Sequence, residues 1–281
     1  MIRELDVSVI SETLSEMCIK ANHFLSDDMK KALYDACDSE SSVTGKDILS
    51  QLKENLEIAG NDMIPICQDT GMAVVFLEIG QDIHFVGGDL SDAVNEGVRR
   101  GYVDGYLRKS VVNDPIIREN TGDNTPAIIH ETIVPGDKLK ITLAPKGFGS
   151  ENMSRIFMLK PAQGIEGVKD AILTAVKDAG PNACPPMVVG VGIGGDFEKC
   201  AILAKKALTR EALSHSEIPW VRDLETEMLR EINKTGIGPG GLGGSTTALA
   251  VNIETFPTHI AGLPVAVNIC CHVNRHVVRV L

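Results

Sequence analysis

A chain of 281 residues that is 43% hydrophobic can bury one large core or two smaller ones. Its formal net charge of -11 and its 4% aromatic content exclude the basic footprint and stacking platforms that nucleic-acid binding asks for. They leave room for a small anionic substrate, because a pocket can be basic inside an acidic protein.

The N-terminal stretch MIRELDVSVI carries Glu4 and Asp6 and has no long apolar core, so it does not read as a signal peptide. No apolar run reaches the roughly 18–20 residues of a membrane span. A soluble, cytoplasmic protein that binds neither membrane nor nucleic acid is expected.

Up to about residue 60 the pattern is helical. Ile10, Leu14, Met17 and Cys18 recur at helical spacing, and SDDMKKALYDA follows with Ser26 as a candidate cap. A third helix carries Ile48, Leu49, Leu52, Leu56 and Ala59, with Gly60 as its expected stop. Strand-like runs come next at MAVVFLEI, KLKITLA, PMVVGVGI, TTALAVNI and LPVAVNI. Helical stretches near 91–108, 164–179, 197–214 and 221–233 lie between them. The chain ends HVVRVL, either an edge strand or a segment covered by another polypeptide. The expected fold is α+β, a single domain over 1–281 whose helical N-terminal layer packs on a mixed α/β body.

Two glycine-rich segments invite a nucleotide reading. GVGIGG, from Gly190, matches GxGxxG, yet the acidic second strand of a dinucleotide fold is replaced by SHSEIPWVRDLE, which contains Pro219. A turn letting strand and helix pack closely is the simpler reading. GPGGLGGST, from Gly238, lacks the lysine of a P-loop, since residue 244 is glycine, but could still form a backbone cradle for an anion.

The seven cysteines are Cys18, Cys37, Cys67, Cys184, Cys200, Cys270 and Cys271. An odd count without CxxC spacing makes a poor disulfide framework. Buried thiols, a nucleophile or soft-metal ligands remain. Three of the contexts, ICQDTG, PNACPP and NICCHVNR, place cysteine beside turn formers or at a strand end, where side chains can converge.

Together, ICQDTG, LRKS from Leu107, KGFGSEN from Lys146, PNACPP, GGLGGSTT and CCHVNR resemble the iron–sulfur-dependent class I fumarases, in order from about residue 10 to the C-terminus. The similarity is greatest to the α subunit of the two-subunit form, whose relatives include L-tartrate dehydratase. The resemblance implies a [4Fe–4S] cluster held by Cys67, Cys184 and Cys271, with Cys270 a packed neighbour because Cys271 and Arg275 fit the x-x-x-Arg pattern. Cys18, Cys37 and Cys200 match no motif and read as core thiols. Three ligands would leave one iron open as a Lewis acid.

The resemblance further implies substrate contacts from Gln68, Asp69, Arg108, the backbone of Gly149, and His259, with Asp69 also catalytic. Phe148 stands where the family pattern is richer in glycine. The bland reading of Asp69 is an Asx turn, and that of Arg108 a solvated charge at a helix end. The implied activity is that of an oxygen-sensitive hydro-lyase interconverting fumarate and malate, a tricarboxylic-acid-cycle step. L-tartrate dehydratase and mesaconate hydratase are alternatives within the same chemistry. A non-catalytic iron–sulfur scaffold and a nucleotide-binding protein are alternatives of another class. Single-chain relatives carry a further domain that completes the pocket, so a β subunit is expected, in a dimer of heterodimers.

Overall fold

The structure, a computed structural model, describes residues 2–281. The chain begins with β1 (Arg3–Asp6), α1 (Val7–His23), α2 (Asp27–Ser39) and α3 (Val43–Asp62), then β2 (Met72–Gly80), β3 (Ile83–Val86) and α4 (Leu90–Asp104). β4 (Ile128–Val134), β5 (Leu139–Lys146), the single-turn α5 (Phe148–Glu151), β6 (Arg155–Leu159) and α6 (Gly164–Ala179) follow. The remainder is β7 (Met187–Gly195), α7 (Phe197–Ala207), α8 (Pro219–Asn233), β8 (Ala248–Thr258), β9 (Leu263–Cys270) and β10 (Val277–Val280). The expected α+β character is borne out. Among the described residues no helix is long and apolar enough to cross a membrane.

These elements form two compact units. The first takes the chain up to Ser26, Leu56–Gly147 and Arg275–Leu281; the second takes Asp27–Asn55 and Phe148–Asn274. The N-terminal helices are therefore divided, α1 going to the first unit and α2 to the second.

In the first unit the strand order is β10-β5-β2-β4, with β2 antiparallel to β5 and parallel to β4. Asp6 starts α1 by accepting a hydrogen bond from the Ser8 amide, and Asp89 starts α4 through the Asp92 amide. Ile10, Leu14 and Met17 of α1 and Val94, Val98 and Tyr102 of α4 recur every three or four residues, so each helix turns one apolar face to the core. They meet Val75 and Leu77 of β2 and Ile141 and Leu143 of β5 there. HVVRVL provides β10, antiparallel to β5 at the sheet edge.

In the second unit the order is β6-β9-β7-β8, β7 being parallel to β8 and antiparallel to β9. Strand alternation divides β7 cleanly. Val189, Val191 and Ile193 join the core built with Ile172 and Val176 of α6 and Leu224 and Met228 of α8. Gly190 and Gly192 face α7 instead. A Cβ there would lie 2.2 Å from the Ala204 carbonyl oxygen and 2.0 Å from that of Cys200. GVGIGG is thus part of a strand, and its glycines let helix backbone touch sheet backbone.

Several elements differ from their sequence-based expectation. α3 runs through Gly60 to Asp62, and that glycine packs on the ring of Phe24 rather than ending the helix. α4 stops at Asp104, so Arg108 lies in a loop beyond it. None of the seven residues of β4 is buried, and the strand lacks the alternation that marks one in sequence. β1, β3 and β6, of four or five residues, are too short to carry a period.

Candidate active site

In the first unit ICQDTG forms the turn that enters β2. Cys67 is half-buried, and its Sγ donates to Gln68 Oε1 at 3.2 Å. Asp69 Oδ1 accepts from the Gly71 amide at 3.0 Å, which is an Asx turn. Gly71 has φ of 78°, and a Cβ on it would sit 2.8 Å from the Lys146 backbone, so both conformation and space demand glycine. The carboxylate of Asp69 lies over β5's end: a Cβ on Gly147 would be 3.1 Å from Asp69 Oδ2.

The underside of this turn is held by buried donors from three other segments. Arg275 donates through Nη2 to the Asp69 carbonyl and through Nε to that of Pro145 at 3.4 Å. The Tyr102 hydroxyl donates to the carbonyls of Thr70 at 2.7 Å and Gly71 at 3.1 Å. Asn124 Nδ2 adds a bond to the Gly71 carbonyl at 3.1 Å. Thr70 Oγ1 accepts from the Arg108 amide at 2.9 Å and donates to the Arg108 carbonyl at 3.2 Å. The loop carrying Arg108, whose side chain is exposed, is thereby tied to the turn carrying Cys67 and Asp69. Burial pushes the Tyr102 hydroxyl well above its ordinary pKa, so it remains a donor.

In the second unit Cys184 ends a short 3-10 turn in the left-handed region, with φ of 51°, and is exposed. His272 Nδ1 meets the Cys184 carbonyl at 3.1 Å. A carbonyl only accepts, so this contact selects the tautomer protonated at Nδ1. The bond joins the Cys184 turn to the segment carrying Cys271. Cys270 is the last residue of β9 and 4% exposed, whereas Cys271, one residue further, is half-buried. Alternation along the strand separates these neighbours.

Gly149 lies in α5, exposed, with nothing within 4 Å of where a Cβ would stand. Its fold makes no demand for glycine. α5 is anchored by Glu151, which accepts from Lys205 of α7 and, at 3.0 Å, from Asn268 of β9. His259 is exposed in the turn after β8, with Nδ1 accepting from the Ala261 amide at 3.2 Å. Cys271 follows the far end of β9, so the strand separates the two by roughly 24 Å at about 3.4 Å per residue.

The second unit therefore draws Cys184 and Cys271 together and leaves His259 apart. The first unit draws Cys67, Gln68, Asp69 and Arg108 together. Cys18, Cys37 and Cys200 are buried, as core thiols should be, and burial raises the pKa of Cys18 and of Cys200. Among the described residues no group of three His, Cys, Asp or Glu side chains is arranged to hold a metal ion. The donor chemistry still suits an iron–sulfur cluster, because the three thiols singled out by motif are the ones that are not buried and each lies at a turn or strand end.

The glycine-rich segment from Gly238 is occupied by the protein itself. The amide of Gly240 donates to the Pro185 carbonyl at 2.8 Å and that of Gly243 to the Ile237 carbonyl at 2.9 Å. The anion at its end is the buried carboxylate of Glu40, which accepts from the amides of Ser245 and Thr246, both at 2.8 Å. Sequence reasoning missed Glu40, Tyr102 and Asn124, which belong to no motif and which only burial of a polar group would have marked; His272 lies within CCHVNR, and only its bond to the Cys184 carbonyl marks it.

The chain matches the family model described as fumarate hydratase (Fumerase) over residues 11–280. A Methanocaldococcus jannaschii protein provisionally named L(+)-tartrate dehydratase subunit alpha is 41% identical over 276 residues, covering 96% of each chain. The L(+)-tartrate dehydratase subunits alpha of Escherichia coli K12 and of Shigella sonnei are each 30% identical over 272 residues, covering 96% of this chain and 89% of theirs. With the family model spanning nearly its whole length, this chain belongs to the fumarate hydratase (Fumerase) family.

Proposed function

We propose that this chain is the α subunit of a two-subunit hydro-lyase that adds water reversibly to fumarate, giving malate. The observation that carries the reading is the linkage, in one unit, of Cys67, Gln68 and Asp69 to the loop of Arg108 through Thr70. That linkage ties the loop bearing an exposed guanidinium to the turn bearing a thiol and a carboxylate. Arg108 supplies the cation for a substrate carboxylate. Gln68 and Asp69 orient the substrate, and Asp69 Oδ2 is the oxygen not engaged in the Asx turn's amide bond to Gly71. Gly149 offers an amide in a place where a side chain is not required by packing, whereas His259, beyond the opposite end of β9 from Cys271, takes no part in this group.

The cofactor reading is a [4Fe–4S] cluster on Cys67, Cys184 and Cys271, supported by the motif resemblance and by the accessibility of these three thiols. Bound there, such a cluster would supply an iron with an open position, a Lewis acid for the hydroxyl that is added or lost. A β subunit completes the pocket; the relatives named as α subunits support this, and a dimer of heterodimers is the proposed assembly. The names of those relatives favour a second substrate reading, dehydration of L(+)-tartrate to oxaloacetate.

The test is anaerobic co-purification with a candidate β subunit, iron and sulfide counting, and assays on fumarate, L(+)-tartrate and mesaconate. Turnover of fumarate that is lost in air supports the reading. Turnover of tartrate alone selects the second reading, and absence of iron together with absence of turnover on all three overturns both.

A further inference from the structure

Three successive backbone carbonyls of the ICQDTG turn, those of Asp69, Thr70 and Gly71, each accept from a buried side chain of a different segment. The donors are Arg275 before β10, Tyr102 of α4 and Asn124 of the loop before β4. Tyr102 and Asn124 are fully buried and Arg275 is 4% exposed. Burying a guanidinium is costly unless its donors are used, and among the described residues no carboxylate pairs with this one. Two of its nitrogens are given to carbonyls, those of Asp69 and Pro145. Turns ordinarily leave such carbonyls to water. Here all three are taken by buried donors, while Cys67 of the same turn stays half-buried and Gln68 exposed.

We propose that Arg275, Tyr102 and Asn124 form a carbonyl clamp whose role is to position the turn bearing Cys67 and Asp69. They are positioning residues: they act on backbone and not on a substrate. The proposal deepens the function proposed above, because the turn it fixes is the one assigned to ligand and substrate contacts. The clamp also explains why the segment ends in CCHVNR with arginine and not lysine. Only a planar fork reaches two carbonyls with a fixed geometry.

The experiment measures iodoacetamide labelling of the apo chain at constant pH, resolved by peptide mass spectrometry. Tyr102→Phe keeps the ring in the core and removes the hydroxyl; Arg275→Lys keeps the charge and removes the fork. Folding of each is verified by circular dichroism. Losing a buried hydrogen bond raises the population of the open turn, so labelling of Cys67 should quicken about tenfold. Labelling of Cys184 and Cys271, in the other unit, should not change. A Cys67 rate unaltered in the folded variants would overturn the clamp.

Assembled with a β subunit, Arg275→Lys should lower kcat on the substrate and leave KM near the original value. If the unsubstituted assembly turns over none of the three dicarboxylates while the labelling shift is seen, the clamp stands and the functional reading falls.

Discussion

The carboxylate of Glu40 accepts hydrogen bonds from the amide and the hydroxyl of Ser245, 205 residues further along the chain. Further bonds to it come from the amides of Ser42 and Thr246, and Gly45 and Gly244 crowd it so closely that a Cβ on either would lie within 3 Å. One acidic side chain thus fixes the end of the glycine-rich loop. That loop in turn packs on the turn of Cys184, since Gly240 bonds the Pro185 carbonyl and Gly241 leaves room for Pro181.

Acid sensitivity follows. Burial pushes the Glu40 carboxyl up, but the hydrogen bonds from Ser245, Ser42 and Thr246 outweigh it and hold the pKa at about 2, against an ordinary 4.5. The folded-state value is the lower one. The stabilisation is therefore complete above pH 4.5 and is lost as pH falls toward 2. Glu40→Gln replaces one acceptor by a donor facing amides and should cost about 1–3 kcal/mol at pH 7. Urea unfolding at pH 7 and pH 4 should show a smaller loss with pH in the variant than in the parent.

A pair of glycines should behave oppositely. Gly71→Ala meets both a positive φ and the Lys146 backbone and should lose at least about 2 kcal/mol of stability. Gly149→Ala meets nothing and should leave thermal unfolding within about 0.5 kcal/mol of the parent. If the Gly149 amide faces substrate, the same variant should raise KM or lower kcat in the assembled enzyme.

The cysteines should divide by accessibility. Under native conditions Cys67, Cys184 and Cys271 should label with iodoacetamide well ahead of the buried Cys18, Cys37, Cys200 and Cys270. After anaerobic reconstitution, serine at 67, 184 or 271 should each abolish stoichiometric iron, whereas Cys270→Ala should retain it. Iron retained in Cys271→Ser and lost in Cys270→Ala would exchange the two assignments.

In the second unit Arg210 donates to Glu225 at 2.7 Å, and Glu225 also accepts from the amides of Ile253 and Ser216. The Glu225 side chain is 1% exposed. Glu225→Ala leaves the guanidinium without its main partner and two amides without acceptors, so a loss of about 3–5 kcal/mol is expected in chemical denaturation. A loss below about 1 kcal/mol would show that water replaces the carboxylate.

Much of this protein was legible without coordinates. The 3.6-residue recurrence of Val168, Ala171, Ile172 and Ala175 defines α6, whose ends coincide with the expected 164–179. The apolar runs of β2, β5, β7 and β9 stand out because both faces of a central strand are covered, and that of β8, at its sheet's edge, because its first six residues are buried. Motif order likewise placed Cys67, Cys184 and Cys271 at turns or strand ends before any contact was known.

Tertiary structure decided which donor meets which acceptor. GVGIGG looks like a phosphate loop in sequence, and only the approach of α7 shows that its glycines serve packing. GPGGLGGST looks like an anion cradle, and only Glu40, some two hundred residues away, shows that the anion is already supplied. Tyr102, Asn124 and Arg275 belong to no shared motif, yet they hold one turn. Periodicity and turn chemistry are local properties of the backbone, so a sequence displays them directly. The pairing of a buried hydrogen-bond donor with a distant carbonyl exists only once the chain has closed on itself, and only that closure brings α4, the loop before β4 and the segment before β10 to the carbonyls of ICQDTG.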